Sequence, residues 1–231
     1  MNRFATWACT LSLALAATCQ AVAADQTQFN GTWQLQGAAI KQLRTADGKS
    51  PPLRPEARKL YEQRIAQLAK GDRSYDPGLQ CKPLGNPRLL WEESLPFDLQ
   101  VTAKRILVGY TWNRLHRLID VKAGEPGVAG PTYMGTSTAQ ITGDTLVVES
   151  GGYNDMTLLD ASGLPHSDAL SMTERYRVTN KGQQLELRIR FVDDATFTQP
   201  WEALVKFKRV PDGRVREDVC EIRLGLYKET P

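Results

Sequence analysis

The sequence is poor in the residues that most often carry chemistry. It has two histidines, His116 and His166, and four cysteines, of which Cys9 and Cys19 stand near the N-terminus. There is no Cys-x-x-Cys, no His-Glu-x-x-His and no His-x-His, so zinc would find few ligands. Carboxylate loops of the EF-hand kind are missing, and Gly151-Gly152-Tyr153-Asn154-Asp155 is too short for a glycine-rich phosphate loop. Gly135-Thr136-Ser137-Thr138-Ala139 lacks the strand-to-helix context of a nucleophile elbow. Metal- and cofactor-dependent reactions are therefore disfavoured, and no metal ligand and no cofactor is assigned. The 29 basic and 26 acidic side chains are interspersed, without a basic run or interleaved aromatics. That pattern disfavours a nucleic-acid partner.

Long apolar runs are also scarce. The one near the N-terminus, within "MNRFATWACTLSLALAATCQAVAADQ", reads as a secretory signal: Arg3 supplies the charged start, Ala5 to Ala17 the apolar stretch, and "AVAA" the small residues before cleavage. Cleavage near Ala24 leaves a chain of about 207 residues, periplasmic or secreted, with no later segment able to cross a bilayer as a helix. Cys19 lacks the preceding aliphatic residue of a lipid-modified cysteine. Only Cys81 and Cys220 then remain, and an oxidising compartment leaves them one pairing. Such a bridge closes about 140 residues and would stabilise by roughly 4–5 kcal/mol on the chain-entropy model.

What is present points to one mostly-β domain over residues 25–231. A single helix is expected at about residues 55–70, where Pro55 suits the first turn and Gly71 the stop. Ala57, Leu60, Tyr61, Ile65 and Leu68 recur along it at helical spacing, so it should lie on the fold as a lid or plug. A Pro/Gly-rich loop spans about 74–90. From Phe97 onward the period changes to two, and "FDLQVT", "RILVGYTW", "NRLHRLIDV", "DTLVVES", "LSMTERYRV", "QLELRIRFV", "PWEALVKFKRV" and "RVREDVCEIRL" all read as strands. Turn signals at Thr142–Asp144, Asn180–Gly182 and Pro211–Gly213 separate several of them. Strands joined this tightly imply an antiparallel meander. Gly31-Thr32-Trp33, in the first strand, resembles the lipocalin/calycin signature, whose tryptophan closes one end of an up-and-down barrel.

Alternation exposes two exceptions. In "LSMTERYRV", Leu170, Met172, Glu174, Tyr176 and Val178 share a face, so Glu174 points the way the apolar residues do. In "LHRLIDV", Arg117 shares a face with Leu115, Ile119 and Val121, while His116 takes the solvent side. A lone buried charge costs several kcal/mol, so an inward Glu174–Arg117 pair, or both lining a polar cavity, is the economical arrangement. A structural ion pair and a ligand-contacting pair both satisfy that pattern. His166 sits in a turn a few residues before Glu174, and Asp155, Asp160 and Asp168 have the spacing of turn-capping carboxylates. For an enzyme, what remains is acid/base work in a shielded cavity: His166 and Glu174 as acid and base, Arg117 or Asn154 holding an anion.

The block "GDTLVVESGGYNDMTLLDASGLPHSDALSMTERYR", with "DPGLQCKPLGNPRLL" upstream and "QPW" downstream, resembles a large uncharacterised family of exported bacterial proteins. The resemblance implies export and a barrel-like fold. It also picks out Asn154, Asp155, His166, Ser167, Glu174, Arg175, Pro200 and Trp201. The expectation is a lipocalin-like barrel enclosing a small, largely apolar or aromatic molecule, with His166, Glu174 and Arg117 catalytic if isomerisation, hydration or elimination occurs there. Asn154, Asp155, Asp168, Tyr176 and Tyr110 would contact the ligand. A non-catalytic carrier or sensor, and a structural envelope protein, are the alternatives. No oligomeric state is assigned.

Overall fold

The computed structural model describes residues 26–122, 124 and 130–226; the expected signal segment, residues 1–24, lies outside them. Nine strands follow the chain in order around a closed barrel. They are β1 (Gly31–Leu35), β2 (Phe97–Val101), β3 (Arg105–Tyr110), β4 (His116–Val121), β5 (Thr136–Thr142), β6 (Thr145–Gly151), β7 (Ser171–Thr179), β8 (Gln184–Val192) and β9 (Trp201–Arg209). Each strand pairs antiparallel with the next, and β9 returns to β1, so a β-barrel meander is formed as expected. The exception is the β4–β5 seam. Those strands run parallel and share only two residue pairs, Asp120↔Thr138 and Val121↔Ala139.

Period two sets the inside of the barrel. Leu185, Leu187, Ile189 and Phe191 of β8 are wholly buried, and Arg188 and Arg190 between them are exposed. Trp33 of β1 is wholly buried: its indole donates to the Phe29 carbonyl at 2.9 Å, and the Arg209 guanidinium lies 4.2 Å from its ring centroid. Arg209 also donates to the carbonyls of Gln28, Asn30 and Gly182. Gly31 is required beside it, because its φ is +135° and an added Cβ would fall 2.5 Å from Arg209 Nη1.

Two expectations need correction. The stretch "RVREDVCEIRL" forms no strand. It holds the short helix α2 (Cys220–Arg223), preceded by irregular chain. With β9 already paired to β8 and β1, it offers no edge to the chain that follows, so the turn at Pro211–Gly213 leads out of the sheet. Conversely, β5 is a strand that period two does not announce, since the consecutive residues Thr138 and Ala139 are both buried.

The helix is where the sequence puts it, α1 (Pro55–Ala69), but Tyr61 is its only buried residue and Leu60 is exposed. The filling role falls to the loop instead. Every residue from Leu84 to Glu92 is buried, and Asn86 reaches the inward faces of β3 and β7. Arg88 anchors that loop in two directions, giving Asp76 bonds of 2.9 and 2.7 Å and Glu92 bonds of 2.8 and 3.1 Å. Burial pushes the Asp76 carboxyl up, but hydrogen bonds and charge from Arg88 outweigh it and hold the group below the usual range. The Cys81–Cys220 disulfide forms, fastening α2 to the start of this loop.

Candidate binding site

The polar centre is built from residues that alternation turns inward. Glu174 of β7 is 0 % exposed and Arg117 of β4 is 5 % exposed. Arg117 Nη1 stands 2.8 Å from Glu174 Oε2, so the expected inward pair exists. The contact is an ion pair, and Nη1 makes no further hydrogen bond among the described residues. The rest of the guanidinium spans the seam: Nη2 donates to Ser137 Oγ of β5 at 2.6 Å and to Ser150 Oγ of β6 at 2.7 Å, and Nε reaches Ser137 at 3.2 Å. Where β4 and β5 run out of backbone partners, this side chain joins them.

Glu174 is dressed by neutral donors. Tyr176 OH gives Oε1 a 3.0 Å bond, Asn86 Nδ2 adds one at 3.4 Å, and Ser150 Oγ reaches Oε2 at 3.4 Å. Tyr110 OH in turn donates to Asn86 Oδ1 at 3.5 Å. Burial and the neighbouring Glu174 charge raise the Tyr176 hydroxyl well above the ordinary tyrosine range. Burial, opposed by Arg117, raises Tyr110 as well. Tyr153 completes the cluster; its hydroxyl is fully buried near Ser150 and Asn86 and, among the described residues, within hydrogen-bond geometry of no partner.

His166 belongs to a neighbouring group. Its ring meets that of Tyr153 edge-on, with centroids 6.2 Å apart. Nδ1 lies 2.9 Å from the Ser167 carbonyl, which can only accept, so Nδ1 carries the proton. Nε2 then accepts from the Thr157 hydroxyl at 2.6 Å. Burial pushes the imidazole below its usual pKa. The ring is therefore neutral with both nitrogens engaged, and no hydrogen bond or ion pair joins it to Glu174 among the described residues.

Of the residues expected at the site, Arg117, Glu174, Tyr110 and Tyr176 converge, and His166 stands behind Tyr153. Asp155 and Asp168 are exposed. Asn154 uses its side chain locally, accepting from Met156 N at 3.1 Å. Asp160 caps its turn through Ser162 N and Leu164 N, and also accepts from Leu43 N and, at 2.6 Å, from the Tyr61 hydroxyl. Asn86, Ser137, Ser150 and Tyr153 escape a sequence reading, since a loop and remote strands deliver them. No group of three or more His, Cys, Asp or Glu among the described residues is placed to hold a metal ion.

A surface recess of about 370 Å³ opens at the seam, lined by Arg105, Arg117, Leu118, Asp120, Lys122 and residues 135–138. Thr136 Oγ1, on this wall, is buried and unpartnered. Leu118 is 54 % exposed, and its cross-strand neighbour Leu107 is 37 % exposed. The molecule is thus defined as a closed β-barrel with an ion-paired centre that meets the surface at one seam. No protein-family model matches the chain, and no curated protein matches it. No helix among the described residues is long and apolar enough to cross a membrane.

Proposed function

We propose that the chain is an exported binding protein whose ligand is a small, largely apolar molecule carrying a carbonyl-type oxygen, docked in the seam recess. The observation that carries this reading is an unpartnered threonine hydroxyl and an exposed leucine on the wall of one recess. Among the described residues Thr136 Oγ1 has no hydrogen-bond partner, while Leu118 presents exposed hydrocarbon in the same recess, where the ion-paired Arg117 also stands. Because Glu174 already balances the Arg117 charge, a neutral acceptor oxygen fits better than a second carboxylate, which Glu174 would repel. A recess of this size lies at the low end of small-molecule sites. Binding is favoured over turnover because a general base needs a free lone pair within reach of its proton, and that of His166 is occupied by Thr157.

The test is a set of three matched probes, cyclohexanone, cyclohexane and cyclohexanecarboxylate, titrated by heteronuclear NMR. The ketone should bind about two- to tenfold tighter than either other probe, the value of one neutral hydrogen bond. Leu118→Asp and Thr136→Val should each weaken it. Equal response to all three probes, or signals that move away from residues 117, 118 and 136, would overturn the proposal.

A further inference from the structure

The outward faces of β6 to β9 lie away from the seam, and their cross-strand register sorts the side chains into rows. One row reads Thr145, Arg177, Glu186, Lys206, and another Glu149, Thr173, Arg190, Glu202. Both mix charges of opposite sign. The row between them reads Val147, Arg175, Arg188, Leu204. It sets two guanidinium groups directly opposite each other and contains no carboxylate.

Like charges at directly opposed positions destabilise a sheet, so this row is unfavourable for folding as it stands. Its neighbours relieve it only in part. Arg188 reaches diagonally to Glu202 at 3.2 Å, and Arg177 turns away to Asp144 at 2.7 Å. Glu186 is held by Lys206 at 3.0 Å. Arg175 is exposed and, among the described residues, makes no ion pair. A shallow recess of about 180 Å³ lies between these groups, lined by Thr145, Arg175, Arg177, Glu186, Arg188 and Leu204. With Arg177 held by Asp144 and Glu186 by Lys206, the guanidinium groups of Arg175 and Arg188 and the Thr145 hydroxyl remain around the hollow, and they suit a tetrahedral oxyanion, since each planar fork donates to two oxygens at once.

We propose that this face is a phosphate-binding site in which Arg175 and Arg188 clamp the phosphate group, free or at the end of a lipid headgroup. The site is independent of the seam and of any ligand bound there. A dianion between the two arginines replaces repulsion with two attractions, which accounts for a row that folding alone would not select.

The experiment combines inorganic phosphate, titrated while the arginine Nε signals are followed by NMR, with sedimentation on phosphatidylcholine vesicles with and without phosphatidic acid. Wild type should show saturable shifts at Arg175 and Arg188. Arg175→Glu should lose at least tenfold in affinity, while Arg190→Glu, in the mixed row, should stay within about twofold, as expected of a rim charge. Arg175→Glu also sets opposite charges face to face, so its Tm should rise by up to about 2–4 °C while binding is lost. Vesicle binding that requires phosphatidic acid and is competed by inorganic phosphate assigns the phosphate to a lipid; saturable phosphate binding without vesicle binding assigns it to a free anion. Three results would each overturn the proposal: no saturable response in either arm, wild-type affinity in Arg175→Glu, or an equal loss in Arg190→Glu, which would mean diffuse charge and no site.

Discussion

Glu174 is wholly shielded from water, and a carboxylate placed there needs donors to replace its hydration. It finds Arg117, Tyr176, Asn86 and Ser150. Removing either member of the ion pair strands the other, which costs about 3–5 kcal/mol, whereas replacing both with hydrocarbon of similar volume is often nearly neutral. Arg117→Met and Glu174→Leu should therefore each lower unfolding free energy in urea by about that amount, and the double variant should lose far less than their sum. His166 makes a different prediction. Its folded pKa is pushed below its ordinary value of 6.5 by burial, so as pH falls the unfolded chain takes the proton first. The stability its neutral ring contributes is complete above about pH 6.5 and is lost as pH falls through the folded-state value. Asp160, raised by burial, titrates in the opposite sense. The clean readout is thus the difference between wild type and His166→Gln in denaturant midpoints from about pH 7.5 to 5: the variant should lack part of the wild-type decline.

At the scale of elements, β7 and β8 share nine residue pairs whereas β4 and β5 share two. Local opening is easiest where few backbone bonds must break, so amide exchange at Lys122, which donates to the Ala139 carbonyl across that seam at 3.0 Å, should run well ahead of exchange in the middle of β8. Equal protection along both seams would show that the Arg117 bridge holds β4 to β5 as firmly as a full ladder. Most strands were legible in the sequence because one face is hydrocarbon and the other charged, as in β8. β5 was not, since the weak ladder beside it frees Thr138 and Ala139 from strict alternation. "RVREDVCEIRL" misled for the converse reason: its pattern suits a strand, but pairing depends on a free edge that ring closure has removed. The inward turn of Glu174 and Arg117 was readable because each breaks the alternation of its own strand. Asn86, Ser137, Ser150 and Tyr153 were not. Nothing local in a loop asparagine or a strand serine records that a charge sits across the barrel from it.

For the whole molecule, closure confines unpaired strand edge to the β4–β5 seam, which leaves little template for strand-by-strand association. The two proposed sites also divide the surface cleanly. The seam is a gap between strands filled by one side chain, and the arginine row is a feature of an unbroken sheet face, so variants in one should leave the other intact. The disulfide has its own consequence for how the protein withstands proteases. Cys81 and Cys220 enclose eight of the nine strands in a covalent ring. A single nick between them would leave one molecule that migrates as two fragments only after reduction. A nick between Ala69 and Cys81 would release a piece bearing β1 and α1 under denaturing conditions even with the bridge intact. Limited digestion run on non-reducing and reducing gels side by side would distinguish the two, and would show which parts of the chain depend on the ring to resist cleavage.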